Sequence, residues 1–252
     1  MGSFEEIIHT IDSCLSFKSP SLLQTPAFLD SPSGEIIDIE KESASRSLAR
    51  VIYSKFHARE KEIIPRTGKA DIIRVLRDRF HVLQSKDEEV PSKSVDVSIN
   101  RSPGFVHIFG NQGWKPQSGV IGRYYLTAPD AVRRVEQFTR VVDLLNSEGV
   151  SFQAKTSWNP SIARTDDSVF YFCTMKEFEE AYDLFESDSL LNTDAEGLLP
   201  HSIFVTPVTR SVGMAVEEES LNERGLSFGL ERSSRCADLI IERRRKSNGL
   251  VF

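Results

Sequence analysis

The sequence predicts an α+β fold, a mixed or antiparallel sheet core with flanking helices, preceded by a mostly helical N-terminal part. Three observations carry that expectation. Apolar residues recur at three- and four-residue intervals in the first third of the chain. Period-two alternation begins near residue 95. Beyond it, strand-like and helix-like segments are interspersed. The chain has 252 residues, 39% hydrophobic and 27% charged, a length and balance that support a sizeable core and exclude the disordered class. No run approaches the roughly 18 apolar residues of a bilayer crossing.

The elements follow in order. Phe4, Ile7, Ile8, Ile11 and Leu15 form a helical stripe over residues 4–15. Residues 18–34, rich in Ser and Pro, are expected to lack regular structure. Leu48, Val51, Ile52 and Phe56 mark a second helix over 45–58, and Ile72, Ile73, Leu76 and Phe80 a third over 69–83. The charged segment 84–94 reads as an exposed connection, which divides the chain into an N-terminal part, 1–94, and a core, 95–252. Val95, Val97 and Ile99 alternate with Asp96, Ser98 and Asn100 as a half-buried strand does. Strands are expected at 104–109 and 120–126, then a helix with Pro129 in its first turn and Gly149 as its C-terminal cap. Short strands at 151–156 and 168–173, an acidic helix over 175–185, a strand at 203–208 and a final helix from about Leu230 complete the reading.

Charge and composition restrict the function. The formal net charge of −6 opposes general nucleic-acid binding, which needs a basic field. Residues 171–200 hold eight acidic residues and one Lys (−7), whereas 232–246 hold six basic and two acidic (+4). Two solvated faces of opposite sign explain this, as does a local anion site in an acidic protein. The N-terminus carries Glu5, Glu6 and Asp12 and lacks the pattern of a secretory signal, so a cytoplasmic protein without membrane attachment is expected. Cys14, Cys173 and Cys236 are an odd, widely spaced set that fits neither a disulfide framework nor a zinc module. Five dispersed histidines give no local metal cluster. Nucleotide-loop and nucleophile-elbow motifs are absent.

What remains is a set of basic residues near hydroxyls and aromatics: Arg123 with Tyr125, Lys155 near Asn159, Arg164 before Asp166, and Arg232 with Arg235. A guanidinium binds phosphate oxygens in pairs, so several of them in one cleft make a phosphate site. Taken singly, each is an ordinary surface or ion-pair residue.

Ordered segments carry a resemblance. They include Gly104-Phe105-Val106-His107-Ile108-Phe109-Gly110, Gly122-Arg123-Tyr124-Tyr125-Leu126, Val150-Ser151-Phe152-Gln153-Ala154-Lys155 and Arg164-Thr165-Asp166-Asp167-Ser168-Val169-Phe170-Tyr171. Thr206-Pro207, Gly213-Met214-Ala215 and Ser227-Phe228-Gly229 leading to Arg232 follow, and Leu48-Ala49-Arg50-Val51-Ile52-Tyr53 with Phe56 adds an N-terminal motif. By the order and spacing of these segments the chain resembles the HopA-type effector family, which includes secreted effectors of plant pathogens and standalone dehydratase lyases of peptide natural-product pathways such as lanthipeptide biosynthesis.

The resemblance implies a phosphothreonine-lyase-like core that β-eliminates phosphate from phosphoserine or phosphothreonine, with no cofactor and no metal. A phosphorylated peptide or protein is the implied substrate, and a separate Ser/Thr kinase the implied partner. Lys155 is the implied base, and Tyr125 or His107 the proton donor to the departing phosphate. Arg123, Arg164 and Arg232 are the implied phosphate ligands, with Arg235 and Asn159 as further binding residues. Two positions depart from the family: His107 stands where relatives commonly have an aromatic residue, and Thr206 where many have lysine. The alternatives are a non-catalytic phosphopeptide-binding or effector module on the same scaffold, and an unrelated α+β scaffold whose basic residues never meet.

Overall fold

The computed structural model describes residues 3–27, 33–65, 67–80, 96–98, 104–113, 120, 122–192, 198, 200–217 and 227–249. In chain order its elements are α1 (Phe4–Ser13), β1 (Ser16–Ser19), β2 (Leu22–Gln24), β3 (Ile36–Asp38), α2 (Ala44–Ile52), a π-helical turn (Tyr53–Ala58), β4 (Lys61–Glu62) and α3 (Lys69–Phe80). They continue with β5 (Asp96–Ser98), β6 (Phe105–Phe109), β7 (Gly122–Leu126), α4 (Ala131–Ser147), β8 (Gln153–Ser157), β9 (Ile162–Ala163) and β10 (Ser168–Phe172). The last are α5 (Met175–Ser187), β11 (Thr206–Pro207), β12 (Val212–Val216) and α6 (Phe228–Ser247). Among the described residues no helix is long and apolar enough to cross a membrane.

The chain forms two compact units, and the first is discontinuous: Met1–Lys61, Ser202–Val205 and Glu219–Phe252. Helix α1 opens on a capping box, in which Ser3 Oγ accepts from the Glu6 N–H and the Glu6 carboxylate accepts from the Ser3 N–H. It buries Ile7, Ile8 and Ile11. The segment expected to be irregular instead supplies a small antiparallel sheet, β1-β2-β3, because Leu23 and Ile37 face each other and both are buried. Helix α6 belongs to this unit. Its Arg244 forks onto the Asp12 carboxylate at 2.5 and 3.1 Å, and its Arg245 donates to the Ile39 carbonyl at 2.7 Å. The 94/95 division expected from the sequence falls in residues outside those described, and the contacts divide the chain elsewhere. Side chains more than 200 residues from the N-terminus neutralise acids of α1, a pairing that local pattern does not reveal.

The second unit comprises Glu62–His201 and Thr206–Glu218. Its seven-stranded sheet runs β11-β12-β7-β10-β8-β6-β5, and every neighbouring pair is antiparallel. One face carries Val106, Ile108, Tyr124, Leu126, Ala154, Phe170, Phe172 and Val212 into the core with Phe138, Val142 and Leu145 of α4 and Phe178 and Phe185 of α5. The Tyr124 ring stacks on Phe178 at 4.6 Å and meets the edge of Phe185 at 4.7 Å. Gly122 sits where a Cβ would lie 2.6 Å from the Phe178 ring, so only glycine admits this close approach.

Two local expectations change. Helix α4 is capped by Asp130, whose carboxylate accepts from the Arg133 N–H, so Pro129 precedes the cap instead of entering the first turn. The strand expected at 203–208 shrinks to β11, because the Ile203 N–H is used by the Phe56 carbonyl within the first unit. The strand paired to β7 on the side away from β10 is β12, which contains Gly213 and so escapes the alternation test.

Candidate functional site

In an antiparallel sheet, directly opposed residues point to the same face. One transverse row crosses β12, β7, β10, β8 and β6 through Gly213, Tyr125, Val169, Lys155 and His107. The next row on that face runs through Ala215, Arg123, Tyr171, Gln153 and Phe109. Four sequence-predicted residues, His107, Arg123, Tyr125 and Lys155, therefore share the face opposite the helix-covered core. Lys155 and His107 are immediate cross-strand neighbours, with Cβ atoms about 5 Å apart in such a pair. Tyr125 lies two strand spacings from Lys155, about 10 Å.

The local contacts of these side chains are specific. Lys155 Nζ rests 4.4 Å from the centre of the Phe105 ring. Gln153 Nε2 lies 3.3 Å from His107 Nδ1. Arg123 stands over its cross-strand partner Tyr171, Cζ 5.2 Å from the ring centre, and is ion-paired through Nη2 to Glu217. Arg123 also donates a hydrogen bond to the Tyr125 hydroxyl. Burial raises the Tyr125 pKa well above that of free phenol, more than the Arg123 charge lowers it, so this hydroxyl keeps its proton at neutral pH.

The other candidates occupy different surroundings. Arg164, just after β9, is held bidentately by Asp166 at 2.7 and 3.0 Å, and its N–H donates to Asp167 Oδ2 at 2.8 Å. Asn159 uses its side-chain carbonyl to accept the Ser161 N–H at 2.9 Å, within its own turn. Arg232 and Arg235 belong to the first unit, on α6. Arg232 lies over Phe228 and Phe4 at 5.3 and 5.7 Å, and Arg235 over Phe4 at 4.9 Å. Thr206 begins β11, opposite Met214. Among the described residues, no group of three or more His, Cys, Asp or Glu side chains is placed to hold a metal ion.

Sequence reasoning missed the group that organises the 157–167 loop. Arg134 of α4 is 2% exposed, donates from Nη1 to Asp167 Oδ2 at 2.9 Å, and donates from Nη2 to the Asn159 carbonyl at 2.7 Å. Desolvation pushes the Asp167 carboxyl up to about 6, against the opposing pull of Arg134. Arg134 follows Arg133 in a helix and reads as solvated, and the Asp166-Asp167 doublet was the one visible signal. Glu217 was missed because it opens a run of three glutamates, also an apparently solvated pattern.

Comparison with known proteins adds a family and a fold. The model of the HopA1 effector protein family matches residues 97–250, more than half of the chain. The solved effector protein from Pseudomonas syringae pv. syringae strain 61 is similar with a TM-score of 0.52 and 14% identity, over 82% of this chain and 85% of that one. The effector protein from Pseudomonas syringae pv. tomato strain DC3000 is similar with a TM-score of 0.51 and 11% identity, over 98% of this chain and 94% of that one. At these identities the structural likeness speaks to the fold. No curated protein sequence matches the chain.

Proposed function

The chain belongs to the HopA1 effector protein family, and from that premise we propose that it is a phosphoserine/phosphothreonine lyase acting on a phosphorylated peptide. One observation carries the reading: Lys155 and His107 are directly opposed on adjoining strands, on the same sheet face as Tyr125 and Arg123. Lysine and histidine side by side supply a base and an acid, and the arginine supplies an anion ligand.

In this reaction Lys155 Nζ takes the α-proton of the phosphoresidue. The freed electron pair forms the Cα–Cβ double bond as the Cβ–O bond breaks, and phosphate departs with the bonding pair. Arg123 offsets the charge gathering on the phosphate oxygens. Tyr125, whose hydroxyl keeps its proton at neutral pH, or His107 in its imidazolium form donates to the leaving oxygen. Arg164 reaches a phosphate only by releasing or sharing Asp166. A kinase supplying the phosphoresidue is the partner this chemistry requires, because hydroxide leaves far less readily than phosphate.

The test is incubation with a phosphothreonine peptide in ¹⁸O-enriched water. Elimination releases unlabelled phosphate and leaves the peptide lighter by one phosphoric acid. Label in the phosphate would mean attack of water at phosphorus and would end the lyase reading. Lys155→Met is expected to slow turnover by about 10²–10⁴-fold, the span of general base catalysis, while phosphopeptide binding persists. The second reading, a binding module without turnover, is favoured by the ion pair that already occupies Arg123. It predicts phosphopeptide binding with no phosphate release by the unaltered protein.

A further inference from the structure

The guanidinium assigned to phosphate already holds an anion of the protein's own. Glu217 follows the last paired residue of β12, Val216, and its carboxylate accepts from Arg123 Nη2. Both side chains are largely withdrawn from water, 10% and 14% exposed. Tyr171 backs the guanidinium and Tyr125 accepts from it, so the position of Arg123 is fixed from two further sides. A ligand anion arriving at Arg123 therefore competes with a seated carboxylate.

The geometry points to Glu217 as a tethered competitor that sets the ligand class of this site: phosphate monoesters enter by exchange with its carboxylate, and ordinary peptide carboxylates do not. The inference rests on the proposed role of Arg123 as a phosphate ligand. A peptide Asp or Glu offers Arg123 the same group that Glu217 offers, whereas Glu217 is tethered at an effective concentration on the order of millimolar or above. Such a peptide has nothing to gain by exchange. A phosphate monoester carries about −1.5 to −2 charges at neutral pH and three acceptor oxygens. It can fork onto the guanidinium and also draw on Lys155, which lies on the same face. Because Glu217 lies beyond the ladder between β12 and β7, its side chain can swing away without breaking a strand hydrogen bond.

The isosteric change Glu217→Gln removes the charge and keeps the shape. Calorimetric titration with inorganic phosphate and with acetate, on the full chain, is expected to show phosphate binding about tenfold tighter in E217Q than in the unaltered protein. Acetate binding should become measurable only in the variant. Glu217→Asp, which shortens the reach of the carboxylate, should fall between the two. Far-UV circular dichroism confirms that each variant is folded.

Equal or weaker phosphate binding in E217Q overturns the inference, since Glu217 would then orient Arg123 and not compete for it. An undiminished gain in the double variant R123Q/E217Q overturns it as well, because the freed site would lie elsewhere. The lyase reading is decided separately, by release of unlabelled phosphate from the phosphopeptide in ¹⁸O-enriched water with loss of one phosphoric acid from the peptide. If release fails while the E217Q gain appears, the exchange site stands and the lyase falls. If unlabelled phosphate and the dehydrated peptide appear and no gain does, the lyase stands and the tethered competitor falls.

Discussion

Arg134→Met tests whether a buried ion pair holds the loop that carries Asn159 and Arg164. The substitution leaves Asp167 without its countercharge and the Asn159 carbonyl without its donor. Both Arg134 and Asp167 are almost fully buried, at 2% and 1% side-chain exposure, so the loss falls in the range for breaking a buried pair, about 3–5 kcal/mol. The pH dependence distinguishes this cause from simple loss of packing. In the unaltered protein, burial lifts Asp167 from 3.8 to about 6. The folded state therefore binds this proton more tightly than the unfolded state does, and the contribution of the group falls as pH rises from about 4 to about 6, by on the order of 3 kcal/mol. Removing Arg134 removes the attraction that lowers the Asp167 pKa, so the folded value climbs further and the window of falling stability extends above pH 6. Urea unfolding followed by far-UV circular dichroism should show a large deficit for R134M at pH 8 and a markedly smaller one at pH 5. A deficit under about 1 kcal/mol, or one equal at both pH values, would refute the reasoning.

Three further outcomes follow from packing. In Gly229→Ala the new methyl would lie 2.1 Å from the His57 ring, which is pinned by Ser202 Oγ at 2.7 Å, so a loss of about 1–3 kcal/mol is expected; an unchanged urea midpoint would contradict it. In Gly122→Ala the Phe178 ring must move from the start of α5, so amide hydrogen exchange in α5 should accelerate relative to α4, and equal protection in both helices would count against the close approach. Ser233 Oγ is fully buried and has no hydrogen-bond partner among the described residues, so Ser233→Ala should leave the thermal midpoint unchanged or raise it by the equivalent of up to about 1 kcal/mol; a clear fall would reveal a partner for that hydroxyl.

Much of the fold was legible because its helices and several strands advertise their buried faces locally. Ile7, Ile8 and Ile11 face the core as their spacing demands, and the residues around Gly149 end α4 as a glycine with φ of 71° allows. Failures arose where a residue's partner is distant or its side chain is missing. Gly213 sits opposite Tyr125 in β12 and offers no side chain to an alternation count. The 203–208 stretch has strand composition, yet its first residues pair with the π-helical turn of the first unit. Helix α6 was found, but its place with α1 depends on the pairs Arg243 with Glu5 and Arg244 with Asp12, which no window of sequence contains.

For the candidate site, legibility follows burial. In β8 the small or apolar Ala154 turns inward to the helix-covered core while Gln153 and Lys155 remain half-buried, so alternation alone assigns Lys155 to the opposite face. In β7 every residue from Gly122 to Leu126 is buried, and composition cannot say which face receives Arg123. Register decides it: pairing of Arg123 with Tyr171 and of Tyr125 with Val169 places both with Lys155, and a one-residue slip would drive the guanidinium into the Phe170 and Phe178 core. That slip would bury an unpaired charge among aromatic rings, at a cost of several kcal/mol. The charge of Arg123 thus helps specify the register that brings it to the site, and Glu217 supplies its partner there. The residue proposed to bind phosphate is in this sense also a folding constraint, so variants at Arg123 must be judged against E217Q, which breaks the same ion pair while keeping the guanidinium in the chain.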